Sequence, residues 1–199
     1  MEFYYEIERK ISQKDVGLVI LNAGRFIEGG IEEKQGSDIT PVLDTNIYHV
    51  AALMKILLPT LHNRDKRLME AGKDKVKSGL IVTSSISAML GIGEGNIYSA
   101  SKIFCNFLSF AVRRELESIN SRVELTVLSP GPTITKMSEK YHNHSFWGLW
   151  MATSENCVYK ALKDMGRERE TNGAMSAEIL ISLLYTPLMH WCTLGEKSQ

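Results

Sequence analysis

The sequence predicts an α/β fold, a doubly wound parallel sheet with helices on both faces. Three almost wholly apolar runs, residues 16–21, 80–83 and 123–128, carry this prediction. Runs of this length without polar alternation are typical of parallel strands that are buried on both faces. Helical spacing of apolar residues fills the stretches between the runs, and strands that alternate with helices form parallel sheets of this kind.

The helices are predicted from the same periodicity and from capping residues. Apolar residues recur at helical intervals from Phe3 to Ile11, and Ser154 is an expected N-cap with Glu155 in the first turn. The charged segment 63–77 indicates a solvated loop or a helix extension. Further predicted features are helices over residues 44–61 and about 98–117, a turn at Asn172-Gly173, and an apolar tail over about residues 174–195.

Composition narrows the function classes. The 199 residues fit one domain, and the 23 basic and 23 acidic residues create no overall field that would attract nucleic acid or an anionic membrane. Three cysteines that are far apart favour a reducing compartment over a disulfide framework or a metal knuckle. The apolar tail contains Pro187 and is too short to predict a membrane span, so docking at an interface or burial against the core is favoured.

The most informative stretch is Tyr98-Ser-Ala-Ser-Lys102. A tyrosine and a lysine four residues apart on a helix project from the same face. Ser85 follows the second apolar run, and Pro130-Gly131 follows the third. The carboxyl ends of parallel strands meet at one rim of the sheet, where ligands of such sheets bind. We therefore expect Ser85, Tyr98 and Lys102 to converge at this rim.

These three side chains suit proton transfer to a ketone. A free tyrosine has a pKa of about 10, and we expect the Lys102 ammonium to lower it by favouring the phenolate. Ser85 would hydrogen-bond the carbonyl oxygen within reach of the Tyr98 hydroxyl. A Tyr–Lys pair at this spacing also occurs by chance in many helices, so the prediction depends on its convergence with Ser85 and Pro130-Gly131.

Together these motifs resemble the short-chain dehydrogenase/reductase family, whose fold is Rossmann-like. The resemblance runs over nearly the whole chain and implies a catalytic tetrad of Asn46, Ser85, Tyr98 and Lys102, in which Asn46 holds the water relay of the lysine. It implies NADP or NAD as the cofactor. The residues that the resemblance assigns to cofactor binding are Asn22, Ala23, Gly24, Tyr98, Lys102, Pro130, Gly131, Thr133 and Thr135.

A closer resemblance points to the branch that contains 17β-hydroxysteroid dehydrogenases and very-long-chain 3-oxoacyl-CoA reductases. It is carried by residues 101–109 and 169–173. It implies a hydrophobic small-molecule substrate, of the steroid or long-chain 3-oxoacyl type, and a homo-oligomer. The location it implies is the endoplasmic reticulum membrane, with the cytoplasm as the other candidate.

One departure from the family is large. The family begins with a strand, a glycine-rich turn and a helix N-terminus that binds the pyrophosphate, and neither Gly29-Gly30 nor the glycines of residues 91–95 occupies that position. We therefore expect residues 1–199 to be a single, N-terminally truncated domain whose first strand leaves an apolar edge and face open. The alternative function is a catalytically silent fragment that acts as an interaction or dimerisation module.

Two smaller clusters, one of histidines and one of aromatic side chains, support less specific predictions. His142-Asn-His144 has no carboxylate or third ligand nearby in the sequence, so we predict a solvated loop and no metal site. The apolar cluster of Phe146, Trp147 and Trp150 could line a substrate pocket or contact a membrane surface, and the sequence leaves both readings open.

Overall fold

The computed structural model describes residues 2–141 and 150–184. Within these residues, four strands form one parallel sheet in the order β1-β2-β3-β4. The strands are β1 (Leu18–Leu21), β2 (Gly79–Thr83), β3 (Glu124–Leu128) and β4 (Glu170–Thr171). The predicted parallel α/β sheet is confirmed, and β4 is an addition because two residues are too few to produce a readable pattern.

Helices connect the strands in chain order. They are α1 (Glu2–Ser12), α2 (Gly36–Leu43), α3 (His49–Glu70), α4 (Ser87–Leu90), α5 (Asn96–Ser118), α6 (Ser154–Asp164) and α7 (Met175–Leu184), with short 3₁₀ turns at Ile31–Glu33 and Lys136–Tyr141.

The sheet separates two apolar clusters, as a doubly wound fold requires. The larger cluster joins β1, β2 and β3 to α1, α3 and α5, and its most deeply buried members include Met54, Leu61 and Leu80. On the opposite face, Ile81 and Leu128 pack against α6. Successive strand residues point to opposite faces, which is why Leu80 and Ile81 belong to different clusters.

Strand β1 is less buried than its composition predicts. Val19 and Leu21 pack into the larger cluster, but Leu18 is 40% exposed and Ile20 is 49% exposed. The expectation of burial on both faces is therefore wrong for this strand. The second face of β1 is exposed to solvent, in agreement with the expectation that the first strand leaves an apolar face uncovered.

The second helical region is longer than the sequence indicates. Helix α2 continues through a single π-helical turn, Asp44–Tyr48, into α3. The charged segment 63–77 is partly a helix extension, because α3 continues to Glu70, and partly a loop. The predicted start of this helix at Asp44 is wrong by eight residues, since α2 begins at Gly36.

A second correction concerns the N-cap of α6. The hydroxyl of Thr153, rather than that of Ser154, accepts the hydrogen bond of the Asn156 N–H at 3.2 Å. Ser154 is the first helical residue, and its hydroxyl donates to the Ile134 carbonyl at 2.8 Å. The two candidate caps are adjacent, so the chain pattern alone does not separate them.

Several predicted features lie outside the described residues: His142, His144, Phe146, Trp147, Cys192 and the tail beyond Leu184. In the part of the chain that the structure covers, every helix falls short of the length and apolar character needed to span a membrane.

Candidate active site

Ser85 and Tyr98 meet at the carboxyl rim of the sheet. Ser85 lies in the loop after β2, Tyr98 lies in the first turn of α5, and the Ser85 side chain is close enough to the phenol to act on its pKa. The preceding residue positions this loop: the Ser84 N–H donates to the Leu128 carbonyl at 2.6 Å, and the Ser84 hydroxyl donates to the Lys102 carbonyl at 2.9 Å. Ser84 therefore connects the end of β2 to β3 and to α5.

Lys102 lies beneath the same site and is almost fully buried, with 3% of its surface exposed. Its ammonium donates to the Thr83 carbonyl at 2.9 Å and lies 5.5 Å from the centroid of the Tyr98 ring. Burial lowers the pKa of Lys102, because a low-dielectric environment disfavours the charged amine.

The expected effect of Lys102 on Tyr98 is not found. Burial raises the pKa of Tyr98, the hydrogen bond with Ser85 lowers it, and Cys105 raises it slightly further. The net direction is upward, whereas the sequence analysis predicted a lowered pKa. The ammonium is bonded to the Thr83 carbonyl and faces the tyrosine ring rather than its hydroxyl, so it does not offset the desolvation of the phenol.

Asn46 is the centre of a buried hydrogen-bond network in the π-helical turn. Its side chain accepts from the Arg25 N–H at 2.8 Å, donates to the Arg25 carbonyl at 2.9 Å and donates to the Ser101 hydroxyl at 2.9 Å. The Ser101 hydroxyl donates in turn to the Tyr98 carbonyl at 2.7 Å. The Asn46 amide thus joins the loop after β1 to the first turns of α5. These contacts indicate a positioning role for its side chain, and the water relay stays a prediction.

The backbone carbonyl of Asn46 also has a partner. The thiol of Cys105, a fully buried residue of α5, donates to it at 3.3 Å. Burial raises the pKa of this thiol, and the nearby Lys102 charge lowers it.

The segment Asn22-Ala23-Gly24 follows β1 and faces the rim. The Asn22 amide oxygen accepts from the Thr83 hydroxyl at 3.1 Å, which joins the ends of β1 and β2. A Cβ at Gly24 would lie 3.2 Å from the Lys102 ammonium, so glycine leaves room for that nitrogen. Leu21, the last residue of β1, is buried in the larger core cluster.

The Pro130–Thr135 segment follows β3 at the same rim. The Pro130 carbonyl accepts from the Ile86 N–H at 3.1 Å, so this segment and the Ser85 loop are adjacent. A Cβ on Gly131 would lie 2.7 Å from the Cβ of Ala177 in α7, which leaves no space for a side chain. The Thr133 hydroxyl donates to the Gly131 carbonyl at 3.0 Å, and the Thr135 N–H donates to the Ser138 hydroxyl at 3.0 Å.

The sequence analysis missed three residues that position the others: Ser84, Ser101 and Cys105 as a partner of Asn46. Ser84 directly precedes Ser85, and Ser101 directly precedes Lys102. Their position beside predicted site residues could have indicated a role at the site. The partnership of Cys105 with Asn46 joins residues 59 apart in the chain, so local patterns carry no sign of it.

Comparisons with known proteins agree with this geometry. A family model described as short chain dehydrogenase matches residues 2–145. A Caenorhabditis elegans protein provisionally named steroid dehydrogenase 2 is 26% identical over 191 residues, which cover 91% of this chain and 53% of that protein. Human 17-beta-hydroxysteroid dehydrogenase type 1 is 22% identical over 189 residues, with coverages of 89% and 52%. The chain thus spans about half the length of the curated relatives it matches.

Solved structures show the same fold. A short chain dehydrogenase from Burkholderia cenocepacia in complex with NADP superposes with a TM-score of 0.73 at 21% identity, over 96% of this chain and 74% of that chain. A 7beta-hydroxysteroid dehydrogenase superposes with a TM-score of 0.63 at 17% identity, over 85% and 61% of the two chains. With the family model matching residues 2–145 and the sheet and rim arranged as described, the chain belongs to the short chain dehydrogenase family.

Proposed function

We propose that this chain carries the carbonyl-reducing site of an NAD(P)-dependent oxidoreductase that acts on a hydrophobic ketone or alcohol. The observation that carries the proposal is the approach of the Ser85 side chain to the Tyr98 phenol at the carboxyl rim, with the Lys102 ammonium 5.5 Å from the centroid of the tyrosine ring. The catalytic residues proposed are Asn46, Ser85, Tyr98 and Lys102. The relatives named as hydroxysteroid dehydrogenases support this reaction class.

Tyr98 acts as the proton donor in this proposal. A bound NADPH or NADH supplies a hydride to the carbonyl carbon, and the phenol gives its proton to the carbonyl oxygen that Ser85 orients. Because burial raises the pKa of Tyr98, the phenol stays protonated at neutral pH, which is the form that reduction requires. The role proposed for Lys102 is to bind the ribose hydroxyls of the cofactor, since its ammonium faces the tyrosine ring rather than the phenol oxygen.

The chain's own residues fit the nicotinamide and ribose end of the cofactor. An ammonium has three N–H donors, and the Thr83 carbonyl accepts from one of them in Lys102, so the others can meet ribose hydroxyls. Gly24 leaves space above that nitrogen, and Asn22 and Ala23 are exposed beside it. The segment from Pro130 to Thr135 lies across the same rim.

The pyrophosphate end has no comparable site among the described residues. Gly29-Gly30 leads into a single 3₁₀ turn that carries Glu32 and Glu33, and the Glu33 carboxylate already accepts from the Gly30 N–H at 2.9 Å. Two carboxylates at this position would repel a phosphate. We therefore assign no pyrophosphate contact to this chain.

A hydrophobic substrate is supported by the segments that follow β2, β3 and β4. Each segment exposes large apolar side chains to solvent, and a cluster of exposed apolar side chains around a polar site is typical of a site for an apolar ligand. These side chains are Met89, Ile92, Ile134, Met137, Met175 and Ile179. A steroid or a long-chain 3-oxoacyl thioester is the proposed substrate class.

The test is spectrophotometric. Oxidation of NADPH and of NADH is measured with a panel of steroid ketones, long-chain 3-oxoacyl thioesters and short ketones. We expect turnover with a hydrophobic ketone and a loss of about 100-fold or more in Tyr98→Phe. Tyr159→Phe, at a tyrosine that is 69% exposed on α6, is the control and should keep full activity. Equal activity in Tyr98→Phe and the wild type would eliminate the proposal.

A second candidate is a catalytically silent interaction module, which the exposed apolar side chains of Ile103, Phe107 and Phe110 on α5 favour. Calorimetric titration of this chain with NADPH and NADH separates the two candidates. Saturable binding that Lys102→Met weakens supports the oxidoreductase. Absence of heat with either nucleotide, from a chain that is folded by circular dichroism, supports the silent module.

The endoplasmic reticulum location implied by the resemblance is part of the same proposal. It is tested by fractionating cells that express a tagged full-length protein. Recovery of the protein with reticulum markers supports this location, and recovery in the cytosolic fraction contradicts it.

A further inference from the structure

The Tyr98 ring has an aromatic neighbour that no sequence motif predicts. Phe26, in the loop after β1, packs against it with the ring centroids 5.1 Å apart and the ring planes at 83°. This is an edge-to-face arrangement, the geometry that the charge distribution of aromatic rings favours. Both residues are partly buried, so the contact covers one side of the phenol.

The loop that carries Phe26 is bonded to the helices on either side of it. Immediately before Phe26, both backbone groups of Arg25 are bonded to the Asn46 side chain. Three residues after Phe26, the Gly29 carbonyl accepts from the Asn96 side chain at 3.4 Å, and Asn96 is the first residue of α5. The position of Phe26 against Tyr98 is therefore fixed from both ends of a short loop segment.

Space for the phenylalanine ring is provided by the residue before α5. A Cβ at Gly95 would lie 3.1 Å from the Phe26 ring atom Cε2 and 3.6 Å from Ile92. The first contact is closer than ordinary van der Waals packing, so an alanine at this position would displace the ring. The glycine that ends the loop before Tyr98 thus has a packing role, and not the phosphate-binding role that glycine-rich loops suggest.

We propose that Phe26 is a positioning residue for Tyr98: its ring orients the phenol toward Ser85 and excludes water from one side of it. This inference rests on the proposed function, because the orientation matters for a proton donor.

Among the described residues, few groups shift the pKa of the Tyr98 phenol. Burial is the largest cause of the raised Tyr98 pKa, the Ser85 hydroxyl opposes it, and Cys105 and Lys102 of α5 are the nearby titratable groups. Arg25, the charged neighbour of Phe26 in the chain, is exposed to solvent. Removal of the Phe26 ring should therefore act through hydration of the phenol.

The experiment measures the ionisation of Tyr98 directly. Fluorotyrosine is incorporated into the chain, the Tyr98 resonance is assigned by its loss in Tyr98→Phe, and its fluorine shift is followed against pH. In Phe26→Ala we expect the midpoint to fall by about half a pH unit or more. Phe26→Leu, which keeps apolar volume, should fall less. Gly95→Ala, which places a methyl group 3.1 Å from the Phe26 ring atom Cε2, should also move the midpoint.

The chain offers a matched control. Phe3 and Tyr4 of α1 form another edge-to-face pair, 5.3 Å apart at 79°, and the Tyr4 ring packs against Tyr48 and His49 rather than against Tyr98. Phe3→Ala should leave the Tyr98 midpoint unchanged. A Tyr98 midpoint that stays within about a tenth of a pH unit in folded Phe26→Ala and Gly95→Ala would overturn the proposal. If Phe26→Ala does not fold, Phe26→Leu and Gly95→Ala decide in the same way.

Activity provides an independent readout. In an active preparation, Phe26→Ala should lower kcat more than it changes KM, because orientation of the proton donor matters in the transition state. A shifted Tyr98 midpoint in a chain without NAD(P)H-dependent turnover supports the positioning role and contradicts the proposed function. An unshifted midpoint in an active chain supports the function and contradicts the positioning role.

Discussion

At the scale of single residues, burial governs the acidity of the proposed catalytic groups. Tyr98 and Lys102 are both desolvated, so the pKa of the phenol is raised and that of the amine is lowered. Both shifts favour the neutral forms of the side chains. The pair therefore consists of a phenol that stays protonated at neutral pH and a buried amine whose charge is costly to keep.

The lowered pKa of Lys102 has a consequence for stability. A group whose folded pKa lies below its unfolded value contributes stability at high pH and loses it as the pH falls through the folded pKa. We therefore expect the free energy of unfolding of the wild type, relative to Lys102→Met, to rise as the pH increases toward about 10.4, the ordinary pKa of lysine. Urea unfolding of both proteins at several pH values measures this difference. A difference that is flat or falls with pH would contradict the burial argument.

At the scale of secondary structure, the π-helical turn at Asp44–Tyr48 connects the loop after β1 to α5. Asn46 is fully buried in it and makes three side-chain hydrogen bonds. A buried polar group that loses its partner pays the full cost of desolvation. Removal of the Asn46 amide would deprive the N–H and the carbonyl of Arg25, and the Ser101 hydroxyl, of a hydrogen-bond partner.

We expect Asn46→Ala to lower the free energy of unfolding by about 2 kcal/mol for this reason. The matched control is Asn63→Ala, at an exposed asparagine of α3, which should change it by no more than about 0.5 kcal/mol. Denaturant unfolding of the two variants provides the comparison. Equal effects would show that the network does not stabilise the turn.

The contact between the Pro130-Gly131 segment and α7 also leaves little space for a larger side chain. Gly131→Ala would place a methyl group 2.7 Å from the Ala177 Cβ, and overpacking of this kind costs about 1–3 kcal/mol. Ala177→Gly alone lowers the free energy of unfolding by about 1 kcal/mol, because glycine destabilises the interior of a helix. In the double variant, the same substitution removes the clash with the new methyl group. We expect the double variant to be more stable than the sum of the single effects predicts. Strict additivity in thermal unfolding would contradict the close approach.

The sequence predicted the elements that long patterns define and missed those that tertiary contacts define. Helix α1 and the apolar cores of β2 and β3 follow from periodicity, and Ser85 and Tyr98 converge because parallel strand ends share a rim. The early start of α2, the two-residue β4 and the contact between Phe26 and Tyr98 depend on partners distant in the chain. The direction of the Tyr98 pKa also required the structure, because it depends on how deeply the phenol is buried.

At the scale of the whole molecule, two surfaces outside the rim segments also expose apolar side chains. One is the second face of β1, at Leu18 and Ile20. The other is a stripe on α5 at Ile103, Phe107 and Phe110, residues spaced so that they share one helix face. Contiguous exposed apolar surface of this kind is typical of protein interfaces.

The stripe on α5 supports the homo-oligomer implied by the family resemblance. Phe107 is 69% exposed, and we expect Phe107→Glu to shift the protein toward monomer in light scattering coupled to size exclusion, because a buried charge opposes association. Phe3→Glu, at a phenylalanine that is 62% exposed on α1, is the control and should keep the wild-type mass. A wild-type chain that is monomeric at high concentration would contradict the prediction.

The account depends most on Ser85 and Tyr98 acting together on one carbonyl oxygen. A double-mutant cycle on kcat/KM for NADPH-dependent ketone reduction tests this directly, with Ser85→Ala, Tyr98→Phe and the double variant. Residues that act as a unit have strongly non-additive effects, so we expect the double variant to be barely slower than Tyr98→Phe alone. Fully additive losses, or a Ser85→Ala variant as fast as the wild type, would contradict the account.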